Sequence, residues 1–490
     1  MYDNLTHYIS NKEDNVFLVR NLPQEVVAVL FAYYSRSPNG LRENLAKLLA
    51  DKDIAVLPVG DVRSSTQEDF ALANSKAAAF HQKYVIGYGH RSVAEHSKLS
   101  LGVESVSILT AKEIEDCRLG SYTEKSTRYV EFNENSFYQD IDLPADLKEE
   151  YLGACRFLMR TYIDIIKKTT DALKKQYPGN TENQYKTKAF DLCRGLLPAS
   201  TLTNLGVTLN GTTAEHHFCK LLSSNLPETR AIAKKMVAES MLEIPTLLKY
   251  VAPNVDHTAA LDAVRQIHHD RWPESNVSHR GRAVLKLEWP TSPMWRLATH
   301  ILLEARPDLD YAEARFRTSL ESNAREIIDA YLLHRGGHEN VGRPFESLTY
   351  AFEILCDYGA WRDLQRHRML SQTIPLLTCN EGVTIDPILV ELGLYLEIFQ
   401  ALDSVKPTWK KLADVNQYTA QYVVPLAYNV RYYIRANLRE LFHLCELRSK
   451  KEGHTAYRMI AQAIAAEIID DCPFLSPYLH VDRNKYTFAR

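Results

Sequence analysis

The chain has 490 residues, 45% of them hydrophobic and 24% charged, with a formal net charge of −3. That length exceeds what one hydrophobic core organises, so two or three domains are expected. The charge balance supplies no global pull toward nucleic acid, no apolar run reaches the roughly 18 residues of a membrane span, and Met1–Thr6 lacks the basic-then-apolar pattern of a secretory signal. The eight cysteines are scattered without a CxxC pair, which argues against a zinc cage or a disulfide framework and fits a reducing cytoplasm.

Taken in chain order, Val16–Val19 reads as a short strand, Gln24–Tyr34 has helical character, and good helix formers predict a helix over 67–86. Lys98–Val103 reads as a strand. From Ala145 to Tyr177 the apolar residues Leu147, Tyr151, Leu152, Cys155, Leu158, Ile163 and Ile166 recur at three- and four-residue steps, and Pro178-Gly179-Asn180 ends the helix. Further helices are predicted at 212–222, 227–250, 310–333, 386–404, 435–449 and 455–470, with strands at Val284–Leu287 and Leu348–Ile354. The mixture gives an α+β fold class, mostly helical with small antiparallel sheets. Between about Ala252 and Arg282 the pattern breaks into Pro, Asn, His, Asp, Ser and Gly. The expected organisation is therefore a domain at 65–255 with 1–64 attached to it, a linker at 256–282 and a second domain at 283–490.

The two halves repeat each other. Arg194-Gly195-Leu196-Leu197-Pro198 has a counterpart in Gln421-Tyr422-Val423-Val424-Pro425, and each proline is followed twelve residues later by an asparagine, Asn210 and Asn437. About twenty residues beyond each asparagine stands an arginine, Arg230 and Arg458. Upstream, Val93-Ala94-Glu95-His96 matches Pro344-Phe345-Glu346-Ser347, and each leads through an apolar strand to an expected arginine-bearing helix, at Arg118 and Arg368. Landmarks in the same order argue for duplication.

Two segments carry a family resemblance. Arg366-His367-Arg368-Met369-Leu370-Ser371 resembles the RHRxxS core of the flavin-dependent thymidylate synthases. Gly89-His90-Arg91-Ser92-Val93-Ala94-Glu95-His96 is similar to that family's GHxSxxEH segment, and Ser121 to Tyr129 resembles the SxNExSxRY half of its signature. Each copy keeps a different part. The first has Asp116-Cys117-Arg118 in place of RHR, and the second has Thr373–Thr378 in place of NExSxRY and Ser347 in place of the histidine. Asn437, Arg439, Arg448 and Arg458 fit the family's C-terminal block, with His454 where glutamine is usual, and the first copy retains Asn210, Glu228 and Arg230 there.

The resemblance implies conversion of dUMP to dTMP, with methylenetetrahydrofolate as carbon donor and FAD reduced by NADPH. It places His96, Arg366, His367, Arg368, Asn437 and Asn210 at the cofactor, Ser126, Arg128, Ser121 and Arg439 at the nucleotide, and Arg458 and Arg230 at the chemistry. Arginine suits both phosphate partners because its planar fork pairs bidentately with their oxygens. The family's sites draw on several subunits, so Ser126 and Arg128 are expected to face Arg366, His367, Arg368 and Arg458 in composite sites, within a homodimer that reproduces a tetramer. Neither nucleic acid nor a membrane is an expected partner.

Plainer roles stand beside these. Arg366–Arg368 equally suits a solvated basic helix face, His96 a core histidine, Ser126 and Arg128 a turn, and Asn210 and Asn437 helix N-caps. The adjacent pairs His216-His217 and His268-His269 do not converge on one metal. The divided signature also fits an inactive flavin- or nucleotide-binding protein, or a site that methylates another pyrimidine nucleotide.

Overall fold

In the computed structural model a single helix runs from Ala145 to Gln176 and buries Tyr151, Cys155, Leu158, Tyr162, Ile165 and Leu173 along one stripe. It starts behind Pro144, a residue with no N–H to lose at a helix entrance. It stops before Gly179, whose φ of 104° is one that glycine adopts without a Cβ penalty. The structure describes residues 5–13, 15–34, 37–50, 91–271, 283–337 and 339–488. The helix expected at 67–86 lies outside them, as do Gly89 and His90.

By internal contacts the chain forms two units. The first takes the described residues within Met1–Val106, Thr110–Glu124 and Thr203–Ser275. Its antiparallel sheet has the order β1 (Lys98–Ser107), β3 (Leu202–Asn210), β2 (Gly120–Glu124), with Gly120 opposite Leu209 and Glu124 opposite Leu205. Leu205, Val207 and Leu209 alternate onto one face and bury against Leu99, Val103, Phe218, Leu221 and Met236. Helices Gly211–Leu222 and Pro227–Ser240 cover that face, and a second small core gathers Leu5, Tyr8, Val26, Leu30 and Leu45.

The second unit takes Ser107–Leu109, Lys125–Leu202 and the described residues of Asn276–Arg490, so the Ala145–Gln176 helix belongs to it. Its sheet has the order β4 (Val284–Glu288), β5 (Thr349–Asp357), β7 (Asn429–Asn437), β6 (Leu370–Thr373). β5 runs antiparallel to β7 from Thr349 opposite Asn437 to Asp357 opposite Asn429. Elements of both repeats pack together in this unit. Lys168 and Glu150 of the long helix pair with Glu397 and Lys411, at 2.6 and 2.7 Å.

The repeated motifs meet directly. Pro198 and Pro425 form an antiparallel bridge, Ala199 N donates to Val424 O, and Leu426 N donates to Leu197 O. The same spacing recurs outward, where Ser200 N donates to Tyr422 O and Ala427 N donates to Gly195 O. The duplication read from the sequence is therefore written into the backbone pairing as a local two-fold relation.

Several expected elements differ. Val16–Val19 contributes only an isolated bridge from Val19 to Ile9, because among the described residues no strand pairs with it. The helix expected at 310–333 breaks into Tyr311–Arg317 and Glu321–Leu332, since the Thr318 hydroxyl donates to Ala314 O and caps the first piece. The one expected at 386–404 breaks at Gly393, with φ 74°. Of the segment 435–449, Arg435–Asn437 belongs to β7 and the helix is Leu438–Arg448. The helix begun at Pro227 ends at Ser240 rather than at 250. The stretch read as irregular contains the helix Val255–Arg271.

Candidate functional site

After β2 the chain turns at Ser126, whose Oγ accepts the Arg128 amide at 3.1 Å. The turn aims Arg128 at the helix Glu182–Cys193, which Thr181 and Gln184 fix with a reciprocal capping box. Arg128 Nε pairs with Asp191 Oδ1, its Nη1 donates to Tyr457 Oη at 3.4 Å, and its Nη2 donates to Glu452 O at 3.2 Å. One arginine of the first repeat thus binds a carboxylate of its own repeat and two groups of the second.

The next turn, Arg194–Leu196, buries Arg194, whose Nη1 lies 3.2 Å from Asp363 Oδ2. Its Nε and Nη2 are buried with no hydrogen-bond partner. Gly359 makes room for it, since a Cβ there would lie 3.4 Å from Arg194 Nε and 3.0 Å from Asp357 Oδ1. Asp363 stands in the last turn of the helix Tyr358–Leu364, which Asp357 caps by accepting the Ala360 amide at 2.8 Å. Asp357 Oδ2 is buried and unpaired, and burial pushes this carboxyl up to about 6.

Arg366–Arg368 follow that helix. They sit in the turn that leads into β6 rather than on a helix face, which corrects the sequence expectation: Leu364 is the last helical residue and the chain must reverse to reach β6. Arg366 and Arg368 are exposed, and His367 is 3% exposed. Burial raises Asp363, but the charges of Arg194, Arg366, Arg448 and Arg128 outweigh it and hold the carboxyl near about 2. Burial also raises Asp191, yet it is held below the usual carboxylate range by His454, Arg128 and Arg194. His454 is itself pushed down to about 3 by burial and by Arg194, so at neutral pH the two arginines carry that effect. Four guanidiniums therefore act on Asp363 and Asp191, with Asp357 also in the field of Arg194, and this concentration of fixed positive charge is of a kind that pairs with phosphate oxygens.

His367 has both ring nitrogens engaged. Its Nδ1 lies 2.8 Å from Glu440 Oε1, and Arg448 Nε donates to its Nε2 at 2.8 Å. Burial, more than any other influence, lowers its pKa. Asn437 caps the Leu438–Arg448 helix by accepting the Glu440 amide at 2.9 Å. Arg439 turns away, to Val341 O and Glu346.

Arg458 is 6% exposed, its Nε donating to Ser449 O at 2.8 Å and its Nη2 to Asn484 O at 2.9 Å. The Tyr486 ring lies under its guanidinium at 5.0 Å. Phe488, two residues on, meets Tyr177 and Tyr185 edge to face. Tyr486 to Phe488 thereby form one wall of a cavity of about 40 Å³ that Arg128, Lys188, Asp191 and Arg458 also line. A neighbouring cavity of about 60 Å³ touches Arg194, Asp357 and His454, and the two share Thr455. Both are far below the roughly 300 Å³ of an ordinary ligand pocket.

The other expected residues lie in the first unit. His96 is exposed and stacks on Phe31 at 4.1 Å, so it is not a core histidine. Ser121 is exposed on β2 opposite Thr208, Asn210 caps its helix by accepting the Thr213 amide at 2.8 Å, and Arg230 Nη1 donates to Ser224 O at 2.6 Å. Where an RHR would stand, Asp116 pairs with Lys220, and nearby Lys112 pairs with Glu115 and Glu124. These side chains fill the region with their own ion pairs.

The sequence reading did not select Asp191, Arg194, Asp363 or Glu440. Arg194 carried a usable signal, because it opens the repeated motif and its counterpart is Gln421. The three acids stand in no motif, and only folding places them among the arginines.

Comparison with known proteins agrees with the repeat. The family described as thymidylate synthase complementing protein matches residues 32–246 and 297–474. A UPF0159 protein of Chlamydia muridarum is 33% identical over 97% of this chain and 94% of its own length. One from Thermoplasma acidophilum is 27% identical over 88% of this chain and 94% of its own. A flavin-dependent thymidylate synthase of Thermococcus kodakarensis is 30% identical over 174 residues, 35% of this chain and 66% of that enzyme. Among the described residues no helix is long and apolar enough to cross a membrane.

Proposed function

Because the chain belongs to the thymidylate synthase complementing protein family, we propose that its second unit holds a composite site that methylates dUMP with FAD, NADPH and methylenetetrahydrofolate. One observation carries this reading. Arg128, Asp191 and Arg194 of the first repeat share one charge cluster with Asp363, Arg366 and Arg448 of the second. The repeats are taken as 65–255 and 283–490, and two chains would assemble as a homodimer in the cytoplasm.

The residues present suit the phosphates of these ligands. Arg194 has two buried nitrogens, Nε and Nη2, without a partner, and the exposed Arg366 and Arg368 follow its ion-pair partner Asp363 in the chain. In this reading Ser126 and Arg128 hold the nucleotide phosphate, with Arg194 and Arg448 adding fixed positive charge at the pyrimidine carbonyls. Arg366 and Arg368 serve the dinucleotide. The flavin, when bound, supplies the hydride chemistry. Asp191 and Asp363 keep the arginines apart and oriented while no ligand is there. Arg458, against the Tyr486 ring, ties segment 482–488 to the wall of the cavity.

Arg128→Ala and Arg366→Ala test the composite directly by equilibrium binding of dUMP and FAD. Each substitution should weaken at least one ligand about tenfold or more, the value of a charge-assisted hydrogen bond. Normal binding of both ligands by either variant removes the composite site. The small cavities and the buried Arg458 favour a second reading, a nucleotide-binding relative without turnover. Formation of dTMP separates the two.

A further inference from the structure

The connected hydrogen bonds Glu440–His367–Arg448 place two residues behind the arginine cluster. We propose that Glu440 and His367 are positioning residues that hold the Arg448 guanidinium in its place among the anion-binding arginines. This rests on the reading of that cluster as the nucleotide site.

The chemistry of the imidazole allows one arrangement. Arg448 Nε–H can only donate, so His367 Nε2 at 2.8 Å must be the bare, accepting nitrogen. The proton then sits on Nδ1 and is donated to Glu440 Oε1 at 2.8 Å. Glu440 is 8% exposed and its backbone amide is capped by Asn437, so the start of this chain is fixed by a helix N-terminus. At the far end, Arg448 spends Nε inward and keeps Nη1 and Nη2 for other partners. Its guanidinium lies 5.7 Å from the Tyr457 ring and contributes to the field that holds Asp363.

The groups facing His367 define its response to acid. Glu440, His443 and Arg448 face it from the Leu438–Arg448 helix, with Arg366 beside it in the chain. A proton on Nε2 would turn an acceptor into a donor and set two cations against each other, which releases Arg448. Burial, Arg448 and His443 oppose that proton, and Glu440 favours it. Removing the carboxylate charge therefore moves protonation to lower pH, and with it the pH at which Arg448 is released.

Two measurements test this on the full chain. The first is ¹⁵N NMR of histidine-labelled protein, which reads the His367 tautomer with no ligand present. The expected state is protonated at Nδ1 and bare at Nε2, and since Glu440 and Arg448 each favour it, only Glu440→Ala combined with Arg448→Ala should abolish the preference. The second is dUMP affinity against pH for the wild type, Glu440→Ala and Glu440→Gln. Glu440→Ala should weaken dUMP about tenfold, while Glu440→Gln, which keeps an accepting oxygen, stays within about threefold. The acid limb of the Glu440→Gln profile should move to lower pH. A tautomer protonated at Nε2, or Glu440→Ala and Glu440→Gln weakened alike with unmoved profiles, overturns the proposal. If the wild type binds no dUMP, the reading of the site fails, and the NMR result still decides the positioning chain.

Discussion

Arg128→Ala offers the sharpest energetic test of the fold around the cluster. The side chains of Arg128 and Asp191 are 16% and 11% exposed, so this is a buried pair rather than a surface one. Removing one partner of a buried pair costs about 3–5 kcal/mol, mostly for the charge left behind. Asp191 keeps Arg194 in its field, which puts the expected loss at the low end, about 3 kcal/mol. At roughly 2–4 °C per kcal/mol, calorimetry should record a fall of about 6–12 °C. Asp191→Asn in the same chain removes the stranded carboxylate, so the double variant should recover about half of the loss, a coupling outside additivity. A loss below about 1 kcal/mol for Arg128→Ala, the worth of an exposed pair, or strict additivity of the two changes, would refute the argument.

Asp357 should shape the pH dependence of stability. Its folded value of about 6 stands above the ordinary 3.8, so the native state holds this proton more tightly than the unfolded chain. The stability this contributes is complete below the ordinary value and is lost as pH rises through the folded one. Asp357→Asn should therefore stabilise the protein near about pH 7.5 by something on the order of 3 kcal/mol, with the gain fading to nothing below about pH 4 in urea melts. Tyr486→Ala removes the ring beneath Arg458, a contact worth about 0.5–2 kcal/mol. It should speed proteolysis within 482–488 and raise the association rate of inorganic phosphate, and an unchanged rate would mean that the segment does not guard the cavity.

What the sequence told of the fold was its periodicity and its repeat. The 32-residue helix announced itself through apolar spacing and a Pro-Gly stop, and the repeated proline motif predicted a duplication that Pro198 and Pro425 make physical by pairing. Short strands were harder, because β2 and β6 have five and four residues and acquire their identity only from β3 and β7 beside them. The Thr318 and Gly393 breaks depend on local caps and a positive φ, to which helix periodicity is blind.

The site divides in the same way. A motif singled out Arg128 and Arg366, which both act on Asp363, and Arg368, which is exposed. Asp191 and Asp363 were not, because carboxylates on two helices become partners only when those helices pack. His367 was legible as a residue of interest, but its partners Glu440 and Arg448 lie 73 and 81 positions away in the chain. Asn210 and Asn437 show the reverse case, since a residue common to caps and to binding motifs is found here capping a helix in both repeats.

An absorbance spectrum of the purified protein with added FAD tests the central claim most directly, through the flavin bands near ~370 and ~450 nm. The account predicts bound flavin that bleaches with NADPH and recovers when dUMP and methylenetetrahydrofolate are added, with dTMP as product. Absence of flavin binding at excess FAD would contradict it, leaving the duplicated fold in place without the composite enzyme.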